Sequence, residues 1–176
     1  MIDELKRLFM LEEIRRRYLK LADNNKELYE NLIPLNQDFL QFYESVKKFA
    51  ASLEDSFREL KVKQRVLGQY NISTRDMEIE LQNVGELNLK FVKELGIFIE
   101  TNLYLPTRVS NFIKEIHRQK SLVEEPPSIK ECDRVLGNLE KQLEVLFRDF
   151  LIYKTHMLKL KAEFKALQLL HNKSLN

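Results

Sequence analysis

Apolar residues recur at alternating steps of three and four along almost the whole chain, and no other pattern competes with them. The cleanest run is the last: Ile129, Cys132, Leu136, Leu139, Leu143, Leu146, Phe150, Tyr153, Met157, Leu160, Phe164 and Leu167. That spacing keeps one narrow apolar seam on one side of an α-helix, where it meets other helices. A first run leads from Leu11 through Ile14, Tyr18, Leu21, Asn25 and Leu28 to Leu67 and stays in frame across Pro34. A second leads from Met77 through Leu81, Val84, Asn88, Phe91, Leu95, Phe98, Asn102 and Leu105 to Ile116, in frame across Pro106. No window alternates with period two, so a sheet is not expected.

The spacing predicts one all-α domain over 1–176: an elongated antiparallel three-helix coiled-coil bundle with long, proline-kinked helices. The helices are expected at about 3–68, 74–121 and 128–172. A short break at Pro34 competes with a kink, because an interior proline costs about 3 kcal/mol. Pro106 either kinks the second helix or splits it, with Thr107 suited to cap a new start. Gly68 is a candidate left-handed cap for the first helix. Ser73, with Asp76 three residues on, would open the second. Glu124-Glu125-Pro126-Pro127 interrupts the chain outright, and Ser128 with Glu131 forms an S-x-x-E capping box for the third helix. The end of that helix is expected to fray at His171, Asn172 and Lys173.

Lengths then matter. At 1.5 Å per residue the first helix reaches roughly 90–100 Å and the others roughly 65–70 Å. Short connections make consecutive helices antiparallel. The second helix should therefore end opposite roughly residues 22 to 28. Leu8, Leu11, Ile14, Tyr18 and Leu21, within an overhang of about 1–25, would be left for a partner chain; the other reading folds the segment back at a break. A buried Leu or Ile is worth about 1.5–3 kcal/mol over an exposed one. Asn25, Asn88 and Asn102 fall inside the seams, where polar residues set register or oligomer state; the other reading puts them at kinks or wet spots.

Chemistry finds little support. His117, His156 and His171 have no metal-ligand or catalytic spacing, and no Glu-x-x-His, H-E-x-x-H, phosphate-loop or G-x-S-x-G motif occurs. The expectation is no enzyme and no cofactor. Gly85, Gly96 and Gly137 fall within helices, where each costs about 1 kcal/mol against Ala, so close helix approach or local kinking is expected there. Basic and acidic side chains number 29 and 27, a formal net charge of +2, and the signs are interspersed, unlike a nucleic-acid binder. Arg15, Arg16 and Arg17 point in different directions on a helix and read as solvated surface, with an anionic partner as the other reading. The single cysteine, Cys132, reads as a small buried thiol in a reducing compartment. Charges at Asp3, Glu4, Lys6 and Arg7 argue against a signal peptide, and no run is long enough to span a bilayer. A cytoplasmic chain is expected.

From Arg65-Val66-Leu67, through the Asn71-Ile72 turn, to Glu94-Leu95-Gly96-Ile97-Phe98-Ile99-Glu100-Thr101, the order of features is similar to one of the small coiled-coil subunits of augmin, the HAUS complex. A last coiled coil, residues 128 to 172 here, completes the likeness, which covers roughly residues 60 to 160. The resemblance implies a structural subunit of a hetero-oligomer of coiled-coil proteins. Its association with microtubules and γ-tubulin would be indirect, at the spindle, in microtubule-dependent nucleation. Other expectations stay open: a kinetochore or vesicle-tether subunit, a homodimeric coiled coil, or a BAR-like or tethering module at membrane surfaces. A balance of +2 weakens the last, because such modules bind anionic lipid through a basic face.

Overall fold

The computed structural model describes residues 1–175 and is all-α, with no strand among them. Its helices are α1 (Ile2–Gly68), α2 (Arg75–Asn102), α3 (Leu105–Arg118), α4 (Lys120–Glu124) and α5 (Ile129–Leu175). The chain divides into two compact units, where the sequence predicts a single domain. One holds Met1–Asn36 with Leu103–Tyr153; the other holds Gln37–Asn102 with the chain from Lys154 onward.

Pro34 lies inside α1, so no break forms there. The cost of its missing N–H is low at this place. The proline and Glu30, whose carbonyl loses its partner, are both exposed, so water reaches that oxygen.

The turn after α1 corrects the expected cap. Gly68 does not take a positive φ; Asn71 does, at 55°. The Ile72 N–H donates to the Leu67 carbonyl at 3.0 Å and the Asn71 N–H to the Gly68 carbonyl at 3.2 Å. That pair of bonds is the Schellman closure, which puts the left-handed residue at Asn71, and asparagine tolerates that conformation better than most side chains. Ser73 Oγ then accepts from the Arg75 N–H at 3.3 Å.

Pro106 marks a split. α2 stops at Asn102 and α3 opens with Pro106 in its first turn, the helix position where a missing N–H costs nothing. Tyr104 occupies the cap position without a side-chain bond, so Thr107 lies inside the helix and caps nothing. A further interruption at Gln119 sets off α4. Ser128 behaves as expected, accepting from the Glu131 N–H at 3.0 Å. The Glu131 carboxylate turns to Arg134 at 2.6 Å.

In the first unit the core joins Ile14, Tyr18, Leu21, Leu28 and Leu32 of α1 to Val109, Phe112 and Ile116 of α3 and to Val123 of α4. Cys132, Leu136 and Leu139 of α5 complete it. Arg17 ties α1 to α5 by pairing with Asp133 and with Glu140 at 2.7 Å. Burial works against its charge, but the two carboxylates outweigh that and raise its pKa. Arg108 of α3 pairs with Asp149 of α5 at 2.8 Å. The Cys132 thiol is fully buried, contacts the Leu122 carbonyl at 3.3 Å, and has its pKa pushed up by burial and then by Glu131. A raised pKa suppresses the reactive thiolate.

In the second unit α1 runs antiparallel to α2 and parallel to α5. Phe39 meets Phe98, and Phe42 meets Phe91; Asp38 pairs with Lys161, and Ser56 with His171. Its core is aromatic. The Phe164 ring stacks on Phe91 at 5.6 Å and stands edge-on to Phe42 and Phe49, each at 5.5 Å. Offset and edge-on pairs of this kind add about 0.5–1.5 kcal/mol each beyond their buried area. His156 lies half-buried beside the seam, edge-on to Phe98.

Candidate partner-binding surface

Of the five residues expected to meet a partner, the structure leaves one fully available. Leu8 is 62% exposed and Leu11 half-buried, but Ile14, Tyr18 and Leu21 are only 3%, 9% and 3% exposed. The Tyr18 hydroxyl donates to the Ile116 carbonyl at 3.1 Å, so α3 already lies against residue 18. Burial raises the Tyr18 pKa, and Glu124 adds to it. The expected overhang takes only the second helix as cover for α1. The third also covers it: Asp133, in the first turns of α5, pairs with Arg17. The uncovered stretch is thus shorter than 1–25.

What remains is more apolar than expected. Ile2, Leu5, Leu8, Phe9 and Met10 are 71%, 51%, 62%, 69% and 51% exposed. Sequence reasoning passed over Ile2, Leu5, Phe9 and Met10 because it followed the seam frame that begins at Leu11. The overlooked signal is a second frame, Ile2-Leu5-Phe9, at steps of three and four. Leu5 and Ile14 are nine residues apart, about two and a half turns at 3.6 residues per turn, and so lie on opposite sides of α1. α1 therefore carries two apolar faces, and the chain's own core takes up one. A helix apolar on several sides is the kind found enclosed by neighbours.

The three seam asparagines sit in unlike places. Asn25 is 1% exposed in the first unit, and its Oδ1 has no hydrogen-bond partner among the described residues. Asn88 is half-buried, again with Oδ1 unpaired. Asn102 is buried and donates to its own helix, at the Phe98 carbonyl, 3.0 Å away; it stands at the end of α2, beside the split.

His171, expected to fray, is instead buried, edge-on to Phe49 at 5.3 Å. Its Nε2 lies 2.8 Å from Ser56 Oγ. Ser56 has one proton and donates it to the Ser52 carbonyl at 3.1 Å, so His171 must be the donor to Ser56, through Nε2–H. Burial lowers its pKa from 6.5 and so favours the neutral ring. The signal was present at sequence level: Ser56 lies inside the first frame, between Leu53 and Leu60, and His171 continues the last frame by one step of four.

A groove of about 330 Å³ in the second unit is lined by Leu87, Phe91, Leu167 and Leu170, with Glu94 and Glu163 beside them. Contact with Glu94, then burial, raises the Glu163 pKa. Among the described residues no group of three or more His, Cys, Asp or Glu is placed to hold a metal ion. No described helix is long and apolar enough to cross a membrane. No protein-family model, curated protein or solved structure matches the chain.

Proposed function

We propose that this chain is a non-enzymatic structural subunit of a heteromeric coiled-coil complex, augmin-like, supporting microtubule-dependent microtubule nucleation and spindle assembly. The observation that supports it is the exposed apolar face of the first turns of α1, with Ile2, Leu5 and Phe9 more than half in water. A face of this kind on a helix is energetically suited to pairing with another helix. The resemblance over residues 60 to 160 supplies the kind of complex. In this reading the chain contributes helices to a shared scaffold, reaches microtubules and γ-tubulin through its neighbours, and works at the cytoplasmic spindle.

Affinity capture of the tagged chain from dividing cells, read by mass spectrometry, tests it. Augmin subunits and γ-tubulin should co-purify with the wild type and be lost with the double variant Leu5→Asp, Phe9→Asp at unchanged helix content. Leu11→Asp with Ile14→Asp is a poorer choice, since Ile14 belongs to the chain's own core. Recovery of no such subunits refutes the assignment; recovery undiminished in the variant refutes the role of this face.

A further inference from the structure

The exposed face of α1 continues beyond Phe9. Ile2, Leu5, Phe9, Glu12, Arg16 and Leu19 follow one another at steps of three, four, three, four and three, and every one of them is exposed. All lie on the side of α1 turned away from Ile14, Tyr18 and Leu21, so a helix laid along this face would not meet the chain's own core. The seam is apolar at its two ends and charged in its second half. That distribution separates the two orientations in which two copies can meet.

A parallel pairing of two copies would set Glu12 against Glu12 and Arg16 against Arg16, like charges in the seam. An antiparallel pairing, with its two-fold axis passing between Met10 and Leu11, matches each residue to a different one. Ile2 then faces Leu19 of the second copy, Leu5 faces its Arg16, and Phe9 faces its Glu12. The long stems of Arg16 and Glu12 can cover Leu5 and Phe9 while their charged ends reach water. Flanking the seam, Lys6 meets Glu13 of the second copy, and Glu13 meets its Lys6. Both are exposed, and neither has an ion pair among the described residues.

We infer that the outer face of α1 over residues 2–19 pairs antiparallel with the same face of a second copy, carried by the apolar ends Ile2 and Leu19 and by the cross-paired Lys6 and Glu13. This rests on reading the face as a helix-pairing surface and names its occupant: the chain enters its complex two at a time. The seam is short and two of its six residues are charged, so the pair is weak and depends on concentration.

Mass measurement by light scattering on the purified full chain, across the micromolar range, tests it. The wild type should shift from monomer to dimer as concentration rises. Lys6→Glu alone and Glu13→Lys alone each turn two symmetry-related attractions into repulsions. Each should weaken the dimer about tenfold, from the ordinary strength of exposed ion pairs. The double variant Lys6→Glu, Glu13→Lys should recover the wild-type midpoint, and Phe9→Asp should leave only monomer at unchanged helix content. A monomer at every concentration, a double variant that does not recover, or a dimer indifferent to Phe9→Asp each overturns the inference. If the chain proves monomeric while Leu5→Asp, Phe9→Asp still loses its captured partners, self-pairing falls and the subunit reading stands. If capture is unaffected too, both fall.

Discussion

Gly85 and Gly96 lie inside α2 and Gly137 inside α5, and alanine at each should separate backbone preference from packing. A glycine within a helix costs about 0.5–1 kcal/mol relative to alanine, mostly through the freedom it loses on folding. At Gly96 and Gly137 an added Cβ meets no heavy atom within 4 Å, and neither residue has a positive φ. Nothing among the described residues offsets the gain there. At Gly85 the new Cβ would sit 3.2 Å from Cζ and 3.5 Å from Cε2 of Phe57, so the ring must shift by a few tenths of an ångström. Gly96→Ala and Gly137→Ala should each stabilise the chain by about 0.5–1 kcal/mol. For a chain of this size that raises Tm by about 1–4 °C. The two lie in different units with no shared neighbour, so their effects should add. Gly85→Ala should gain less than either, or lose. Thermal unfolding followed by far-ultraviolet circular dichroism, with urea titration for the free energies, reads all three. The reasoning fails if Gly96→Ala or Gly137→Ala destabilises the isolated chain, or if Gly85→Ala gains as much as they do. A variant neutral in isolation but damaging to the assembled complex would mark Gly96 or Gly137 as the place where another chain's backbone approaches.

Asn25→Leu should stabilise the chain by about 1–3 kcal/mol, because it removes a buried oxygen left without a partner; a lower urea midpoint would show that Asn25 is held by a bond its surroundings supply. Ser56→Ala should cost about 1–3 kcal/mol by leaving the buried His171 Nε2–H without an acceptor, and equal stability of the two proteins would count against the donor assignment. His171 has a folded pKa below its ordinary 6.5, so between those values the unfolded chain binds more protons. Its contribution is whole above about pH 6.5 and is lost as pH falls through the folded value; His171→Phe should flatten that part of a stability–pH profile, and an unchanged slope would refute the assignment. Glu163 runs the other way: its pKa is raised by Glu94 and by burial, so its contribution is present below 4.5 and lost as pH rises. Glu94→Gln should therefore stabilise the chain near neutral pH, by no more than about 1 kcal/mol because the pair is partly in water, and a destabilised variant would contradict it.

Helix positions were legible where one rule acts alone. The frame through Leu136, Leu143 and Leu160 gives α5, and Ser128 gives its start, because a hydroxyl three residues ahead of a free N–H is a purely local device. Gly68 misled for the opposite reason. The left-handed residue is placed by two carbonyl bonds that fall three residues later, at Asn71, and glycine content does not report them. Pro106 was legible as an interruption. Thr107 failed as a cap because proline itself occupies the opening turn. His171 was judged by its distance from the end of the chain, whereas its seam position and the matching Ser56 decide its burial. The extent of the uncovered face was least legible, since it depends on how three helices are staggered. A frame of threes and fours fixes which side of a helix is buried but not which residue stands opposite which.

That distinction bears on what a partner can touch. If the uncovered stretch were the inner frame of α1, a partner would have to complete the core beside Ile14 and Tyr18, and the isolated chain would be poorly folded at that end. Those residues are instead enclosed by α3 and α5, with Arg17 bonded to Asp133 and Glu140 across the outside of the packing. The exposed residues belong to the other side of the helix. Association through Ile2, Leu5 and Phe9 then adds a neighbour to a folded unit rather than finishing an unfinished one. Its energetic signature follows: loss of the face by Phe9→Asp should weaken association while leaving the melting temperature of the isolated chain nearly unchanged, whereas Ile14→Ala should lower that temperature by removing core contacts worth about 2–5 kcal/mol. Equal melting temperatures for Ile14→Ala and the wild type would put the inner frame back in play.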